Sequence, residues 1–466
     1  MHECDICNKL FSTRKRRKRH RKRIHAHLEC LCRRKFVFEY EMKRHKTTMR
    51  KNAKAYPCAH CCFSFDTKEG IQQHIRRYKH LLQSNDERKS YFDEFYKENV
   101  KVDKEDMTAS RKIADTLLRK MMSHVRNQPG GTIFNPNFIK AGSVPVNAKI
   151  GKADEFDTNI ELNVTPTEIR RHEQLKYDYV DSEDKSVPSM KVIRELEKSS
   201  DRKSIPEGYA AVKVDKGSVP DTYLHGQDII PRQVKQDLYN KMETAKNKLA
   251  LTHVDLSPKA HGPALTMTIH PKQRGVKHDI NVDVSPSLES DVPVTEHGWP
   301  RPATKSAFGK ALIDKVIQTG THLVPKQDLF WAISYSKAER TILSSIDEGN
   351  GCRKKIYKVM KKYVQNCKSK SQNGLPGISS HILKIQVFWS SEKRPNKEYW
   401  HESNRDICLI DTLRDMETAL RKSHLPDFFN SNLNVLEGKD RDQLQILANH
   451  FENERMLFES KYEFIV

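Results

Sequence analysis

Three acidic residues draw attention because strand periodicity would bring them to one face. In the run EFDTNIELNV, Phe156, Thr158, Ile160, Leu162 and Val164 alternate with Glu155, Asp157, Asn159, Glu161 and Asn163. A second alternating run, HDINVDV, sets Asp279, Asn281 and Asp283 against Ile280, Val282 and Val284. If the two strands neighbour each other in one sheet, Asp283 joins Glu155 and Asp157. Three carboxylates so grouped can hold two Mg ions about 4 Å apart. One ion would activate an attacking hydroxyl, and the other would stabilise a triphosphate leaving group. Gly142-Ser143, just upstream, would be the loop that holds phosphates through a backbone N–H and a hydroxyl. The competing reading is three solvated acids on an exposed strand face.

A second chemistry is written in the first 80 residues, which hold seven of the ten cysteines. Cys4 and Cys7 are followed at the right spacing by His20 and His25, and Cys58 and Cys61 by His74 and His80. A Cys-x-x-Cys turn and two His one helical turn apart supply the four ligands of tetrahedral zinc. Phe11, Phe65 and Ile71 stand where so short a unit needs its apolar plug. These residues resemble two-Cys, two-His zinc fingers spanning 4–25 and 58–80. Arg17 departs from the pattern at the usual Leu position. The stretch 30–45 is a degenerate copy, with one residue between Cys30 and Cys32 and no second His after His45. His27 and Cys62 are read as non-ligands.

The elements that position these groups follow from pattern. A helix is expected over 107–126, where Ile113, Leu117, Met121 and Val125 recur every four residues, ended by Pro129-Gly130-Gly131. Residues 81–104 read as a polar linker or hinge carrying an aromatic cluster, Tyr91, Phe92, Phe95 and Tyr96. Leu312, Ile313, Val316 and Ile317, then Ile356, Val359, Met360 and Tyr363, mark later amphipathic helices. The charge is lopsided. Residues 1–80 hold 23 Lys and Arg against 7 Asp and Glu, or +16 of the chain's +22. Such a block suits neutralisation of nucleic-acid phosphates, with nuclear import or protein docking as the alternative. With 36% hydrophobic residues the 466-residue chain can bury a core, so full disorder is excluded. There is no apolar run of about 18 residues, which argues against a membrane span, and no apolar signal region. The expected compartment is the cytoplasm, with the nucleus as a second. Cys352, Cys367 and Cys408 read as ordinary reduced thiols.

The order Gly142-Ser143, Glu155-Phe156-Asp157, then Asp283 in NVDV resembles the nucleotidyltransferase core of the cyclic GMP-AMP synthase-like family. The resemblance continues through SLESDVPVTEHGWP, HLVPKQDLFWAISYSKAERTIL, CRKKIYKVMKKYV and ISSHILK, the last matched to a strand. It implies an α+β, two-lobed nucleotidyltransferase with a mixed-sheet N-lobe over 105–300, a long spine helix, and a helical C-lobe over 301–466. Small ββα finger units would precede it. Glu155, Asp157 and Asp283 would be catalytic and hold Mg or Mn. Gly142, Ser143, Ser334, Ser336, Lys358, Ser380 and His381 would bind ATP and GTP. The product would be a cyclic dinucleotide, an innate immune second messenger. The activator would be double-stranded nucleic acid lying along the spine, and a ligand-induced dimer is an open alternative.

Three departures bear on that reading. His381 replaces a base-stacking Tyr. The family's zinc-binding insertion is absent from 345–353, where only Cys352 stands, which favours RNA over DNA as the activator. A polar stretch, 177–206, reads as an insertion. Two other functions stay open: a zinc-finger regulatory protein with a catalytically silent transferase fold, and a linear oligoadenylate synthetase.

Overall fold

The computed structural model describes residues 88–171, 205–258, 263–271, 276–370 and 378–460, with short pieces of the first 87 residues. They divide into two units, Met1–Lys89 and Ser90–Val466. In the first unit, three two-residue antiparallel pairs are formed: His2–Glu3 with Leu10–Phe11, Leu28–Glu29 with Lys35–Phe36, and Tyr56–Pro57 with Ser64–Phe65. The eight Cys and His assigned to zinc lie outside the described residues, as does most of the 177–206 stretch.

The second unit begins with residues 90–95 in a helix and a π-helical turn, Tyr96–Val100. Here the structure corrects the expected 81–104 linker. Phe92, Phe95 and Val100 are buried in the helical core, because an aromatic face this large is costly to leave in water. Helix α1, Lys104–Arg126, follows. Asp103 caps it by accepting from the N–H groups of Glu105 and Asp106 at 2.9 and 2.8 Å. Its buried stripe is Ala114, Leu118, Met121, Met122 and Val125, one face of a 3.6-residue period.

Strands β1 (Phe134–Ala141), β2 (Glu155–Leu162), β3 (Glu168–Arg170), β4 (Tyr209–Lys213), β5 (Leu224–His225) and β6 (Asp228–Ile229) come next. Helix α2 (Pro231–Lys248) leads into β7 (Val254–Ser257), β8 (Leu265–Ile269) and β9 (Ile280–Ser290). Helices α3 (Pro302–Phe308) and α4 (Lys310–Thr319) precede β10 (Thr321–Val324) and β11 (Trp331–Ser334). Then come α5 (Ser336–Ser345), α6 (Arg353–Lys370), α7 (Ser380–Lys393), α8 (Arg405–Lys422) and α9 (Arg441–Ser460).

One mixed sheet carries the path β5-β6-β4-β11-β10-β9-β8-β7, with β2 joining β1 to β9 and β3 joining β4. Every pair is antiparallel except β2 with β9. The long β9 serves two neighbourhoods. Residues 280–284 pair with β8, and residues 288–290 pair with β10. Two large hydrophobic cores result among the described residues, beside a small cluster of Ile205, Ala211 and Phe330. Leu118, Met121, Ile160, Leu238 and Val282 pack between the sheet and α1 and α2. Ile356, Met360, Phe388, Phe428 and Phe451 pack among the later helices.

Two further expectations are corrected. The part after 301 is not purely helical, since β10 and β11 return to the sheet, where Leu323 and Trp331 join the first core. The ISSHILK segment is not a strand. Ser380 is the first residue of α7, and Ile382, Leu383, Ile385, Val387 and Phe388 are buried around it. A helix enclosed on most sides lacks an amphipathic stripe, so a seven-residue apolar window does not distinguish it from a strand.

Candidate active site

The predicted alternation along β2 is realised: Phe156, Thr158, Ile160 and Leu162 are buried while Glu155, Asp157, Asn159 and Glu161 lie on the other face. Parallel pairing with β9 sets Asp157 opposite Asp283 and Glu155 opposite Asn281. The three acids named from sequence are therefore together on two adjacent strands. Asp283 accepts a hydrogen bond from the Thr266 hydroxyl at 2.6 Å.

The loop from Gly142 closes over them. Ala141 pairs with Asp157 at the end of β1, and Gly142 has φ +66°. A Cβ at Gly142 would lie 1.6 Å from Asp157 Oδ2, so only glycine lets the backbone pass this carboxylate. The loop is tied internally by Ala148 N–H donating to the Ser143 carbonyl at 2.8 Å. Ser143 follows the glycine whose backbone passes Asp157.

Charge in the site is unbalanced. Burial pushes the Asp157 carboxyl up to about 6, and the nearby Glu155 and Asp283 carboxylates add to it. Two ammonium groups work against this, Lys149 and Lys361. Lys149 Nζ is 2.9 Å from Asp154 Oδ1 and 3.1 Å from Glu155 Oε2. Lys361, on α6, donates to the Ala148 carbonyl at 3.0 Å. Burial and the neighbouring Lys149 push it down to about 8, although Glu155 and Asp157 hold it up. The resemblance assigns the triphosphate to Lys358, on the same helix. That ammonium donates to the Tyr96 hydroxyl at 3.1 Å, and burial with Lys354 and Lys355 beside it lowers it to about 8. The two lysines are one helical turn apart in CRKKIYKVMKKYV, and only the packing of α6 shows which one bears on the carboxylates.

Of the remaining expected residues, Ser336 shares a cavity lining with Gly142. Ser334 ends β11 and Ser336 starts α5. The Ser336 hydroxyl is 3.3 Å from His322 Nε2, and Asn159 Nδ2 is 3.1 Å from the same nitrogen. A small cavity of about 20 Å³ is lined by Gly142, Asn159, His322, Ser336 and Arg340, which joins the Gly142 loop to the SYS segment. Burial, then Lys337 and Arg340, push His322 down to about 4, so it is neutral. The Ser380 carbonyl accepts from the Tyr357 hydroxyl at 3.1 Å. His381 is half exposed, with Nδ1 3.2 Å from Glu339 and Nε2 3.8 Å from Asp427. Lys149, Lys361, Asn159 and His322 were missed in the sequence. Only Lys149 carried a local signal, standing six residues before Glu155.

The donor set suits a hard divalent cation: three carboxylates, all oxygen, on rigid strands, with crowded charge that a cation would relieve. Glu155, Asp157 and Asp283 would hold it. Among the described residues, no group of three or more His, Cys, Asp or Glu is converged for a metal ion as the side chains now stand. Lys149 holds Glu155 instead.

A second basic feature lies at the end of α1. A cavity of about 500 Å³ is lined by Arg119, Ser123, Arg126, Asn127, Thr132, Asn137, Phe138 and Lys140. The Arg119 guanidinium sits 5.8 Å from the Phe138 ring centre, and Lys140 pairs with Asp115 at 2.6 Å. No helix among the described residues is long and apolar enough to cross a membrane.

Residues 146–345 match the Mab-21 protein nucleotidyltransferase domain, and residues 352–453 match the Mab-21 protein HhH/H2TH-like domain. Protein mab-21-like 3 of Xenopus laevis is 24% identical over 212 residues, covering 43% of this chain and 54% of that protein. A cyclic GMP-AMP synthase-like receptor of Magallana gigas is 23% identical over 291 residues, 55% of this chain and 46% of the relative. Cyclic GMP-AMP synthase of Mus musculus is 21% identical over 369 residues, 74% of this chain and 64% of the relative. The chain spans about half the length of the first two of these relatives.

Proposed function

We propose that this chain, whose residues 146–345 match the Mab-21 protein nucleotidyltransferase domain, is an active member of that family, joining ATP and GTP into a cyclic dinucleotide when double-stranded nucleic acid binds. The observation that carries the reading is the in-register pairing of Asp157 with Asp283, with Glu155 two residues away on the same face. A nucleotidyl transfer needs carboxylates so placed, and this chain keeps all three. Bound Mg or Mn would supply charge neutralisation at the reacting phosphate and a more acidic attacking hydroxyl. The chain's own groups do the rest. The Gly142-Ser143 backbone and hydroxyl hold phosphate oxygens beside Asp157. Lys361 offsets charge on the triphosphate, with Lys358 one turn away along α6. Ser334, Ser336, Ser380 and His381 border the nucleotide.

The activator reading rests on charge. The cavity at the end of α1 presents the Arg119 and Arg126 guanidinium groups, suited to phosphate contact without base readout. The +16 first segment, read as zinc fingers with Cys4, Cys7, His20, His25, Cys58, Cys61, His74 and His80 as ligands, adds a second basic surface. RNA is preferred to DNA because the family's zinc insertion has no counterpart in 345–353.

A second reading, a catalytically silent binding protein, is favoured by one observation: Lys149 on Glu155. The assay that separates the two incubates the full chain with ATP, GTP, Mg or Mn, and either double-stranded RNA or DNA, and resolves products by mass. A cyclic dinucleotide supports the proposal, a linear chain moves it to the oligoadenylate class, and no phosphodiester under any condition favours the silent reading.

A further inference from the structure

The side chain that holds Glu155 is the chain's own. Lys149 is 8% exposed, and its ammonium lies within 3.1 Å of two consecutive acids, Asp154 and Glu155. An ammonium this enclosed needs paired charge, since removing it from water is otherwise costly. The acids supply that charge only while no other cation takes it. A carboxylate oxygen 3.1 Å from an ammonium cannot also enter the coordination shell of a divalent ion without the two positive charges meeting. At such separations like charges repel, and a divalent ion repels an ammonium more strongly than a monovalent one does.

Lys149 is also not an isolated side chain. It sits in the loop that begins at Gly142, whose backbone passes against Asp157. The preceding residue, Ala148, donates its N–H to the Ser143 carbonyl and accepts at its carbonyl from Lys361. The phosphate-holding end of the loop, the ammonium that covers Glu155, and the α6 lysine are therefore one hydrogen-bonded assembly. The backbone that carries Lys149 is thus held on one side by Ser143 and on the other by Lys361.

We propose that Lys149 is a built-in counter-cation that competes with divalent metal for Glu155, so that metal entry requires it to swing away and re-set the 142–150 loop. The proposal rests on the metal-site reading of Glu155, Asp157 and Asp283. It accounts for a site that has every donor yet is not converged: one of the resting site's acids, Glu155, is paired from within. Gating then consists of changing which cation the acids hold.

The test is metal affinity without nucleotide, read by titration calorimetry with Mn2+ on the full-length chain. The relevant component is the Mn2+ binding that Asp157→Asn removes. Lys149→Met, which keeps length and removes charge, should tighten that component by roughly tenfold or more. Lys149→Arg, which keeps the charge, should leave it near the wild-type value. Thermal melting gives an independent readout: Lys149→Met should melt lower than wild type without metal and recover more on adding Mn2+. Equal or weaker Mn2+ affinity in a folded Lys149→Met protein would overturn the competition while leaving the metal site standing. If neither wild type nor Lys149→Met shows an Asp157-dependent component, the metal-site reading itself fails, and the proposal falls with it.

Discussion

Two enclosed carboxylates, Asp157 on β2 and Glu339 on α5, meet opposite electrostatic fates. Burial would push both up. At Asp157 it does, to about 6, because Glu155 and Asp283 crowd in and the opposing Lys149 and Lys361 only partly offset them. At Glu339, Lys384 and His381 more than overcome burial and hold the acid well below the usual carboxylate range. Lys384 makes a close ion pair with Glu339, and His381 is 3.2 Å away. Glu339 is a satisfied charge that ties α5 to α7. Asp157 is an unsatisfied one, held in place by strand pairing against its own electrostatic preference. The sheet spends stability on the acid site, while the helices recover it from paired charge. Strain of this kind concentrates at functional sites.

The comparison can be broken most severely by neutralising each acid. Asp157→Asn should lower product formation by about 10³-fold or more, the worth of several kcal/mol of charge stabilisation. Its melting temperature should stay equal or rise, because the substitution relieves crowding. Glu339→Ala should do the reverse to stability, costing about 3–5 kcal/mol in urea unfolding by leaving Lys384 without its partner. A Glu339→Ala protein as stable as wild type would end the contrast.

His322 sharpens it along the pH axis. Its folded pKa is depressed to about 4, so the neutral ring contributes stability that is full above about 6.5 and is lost as pH falls towards 4. The loss should reach about 3 kcal/mol, and His322→Gln should flatten the stability profile in that window. Glu339 also loses stability in acid, but only below its ordinary range near 4.5, so the two contributions separate. The smallest effect belongs to Gly142→Ala. Its left-handed backbone alone should cost about 1–2 kcal/mol, before the displacement of Asp157 is added. It should also impair turnover out of proportion, because the new methyl displaces Asp157.

Much of the acid site was legible because strand periodicity is strict. Once Glu155, Asp157 and Asp283 were placed on alternating strands, one parallel pairing brought them together. The spine helix was legible from its own 3.6-residue period; it starts three residues earlier than expected, and its buried stripe runs through Ala114 and Leu118 rather than Ile113 and Leu117. What failed had no periodic signature. That Lys361 bears on the acids was not legible, because it depends on how α6 rotates against its neighbours. The ISSHILK segment is short and apolar, and buried helix and strand look alike at that length. The aromatic residues at 91–96 read as linker because their partners, the helical core, lie hundreds of residues away.

The most direct measurement of the central claim is phosphodiester formation from ATP and GTP labelled at the α-phosphate. Wild type and an equally stable Asp157→Asn protein would be compared, each with Mn2+ and double-stranded RNA. The account predicts labelled cyclic product from wild type and essentially none from the variant. Equal product from both, or none from wild type with RNA or with DNA, would contradict it.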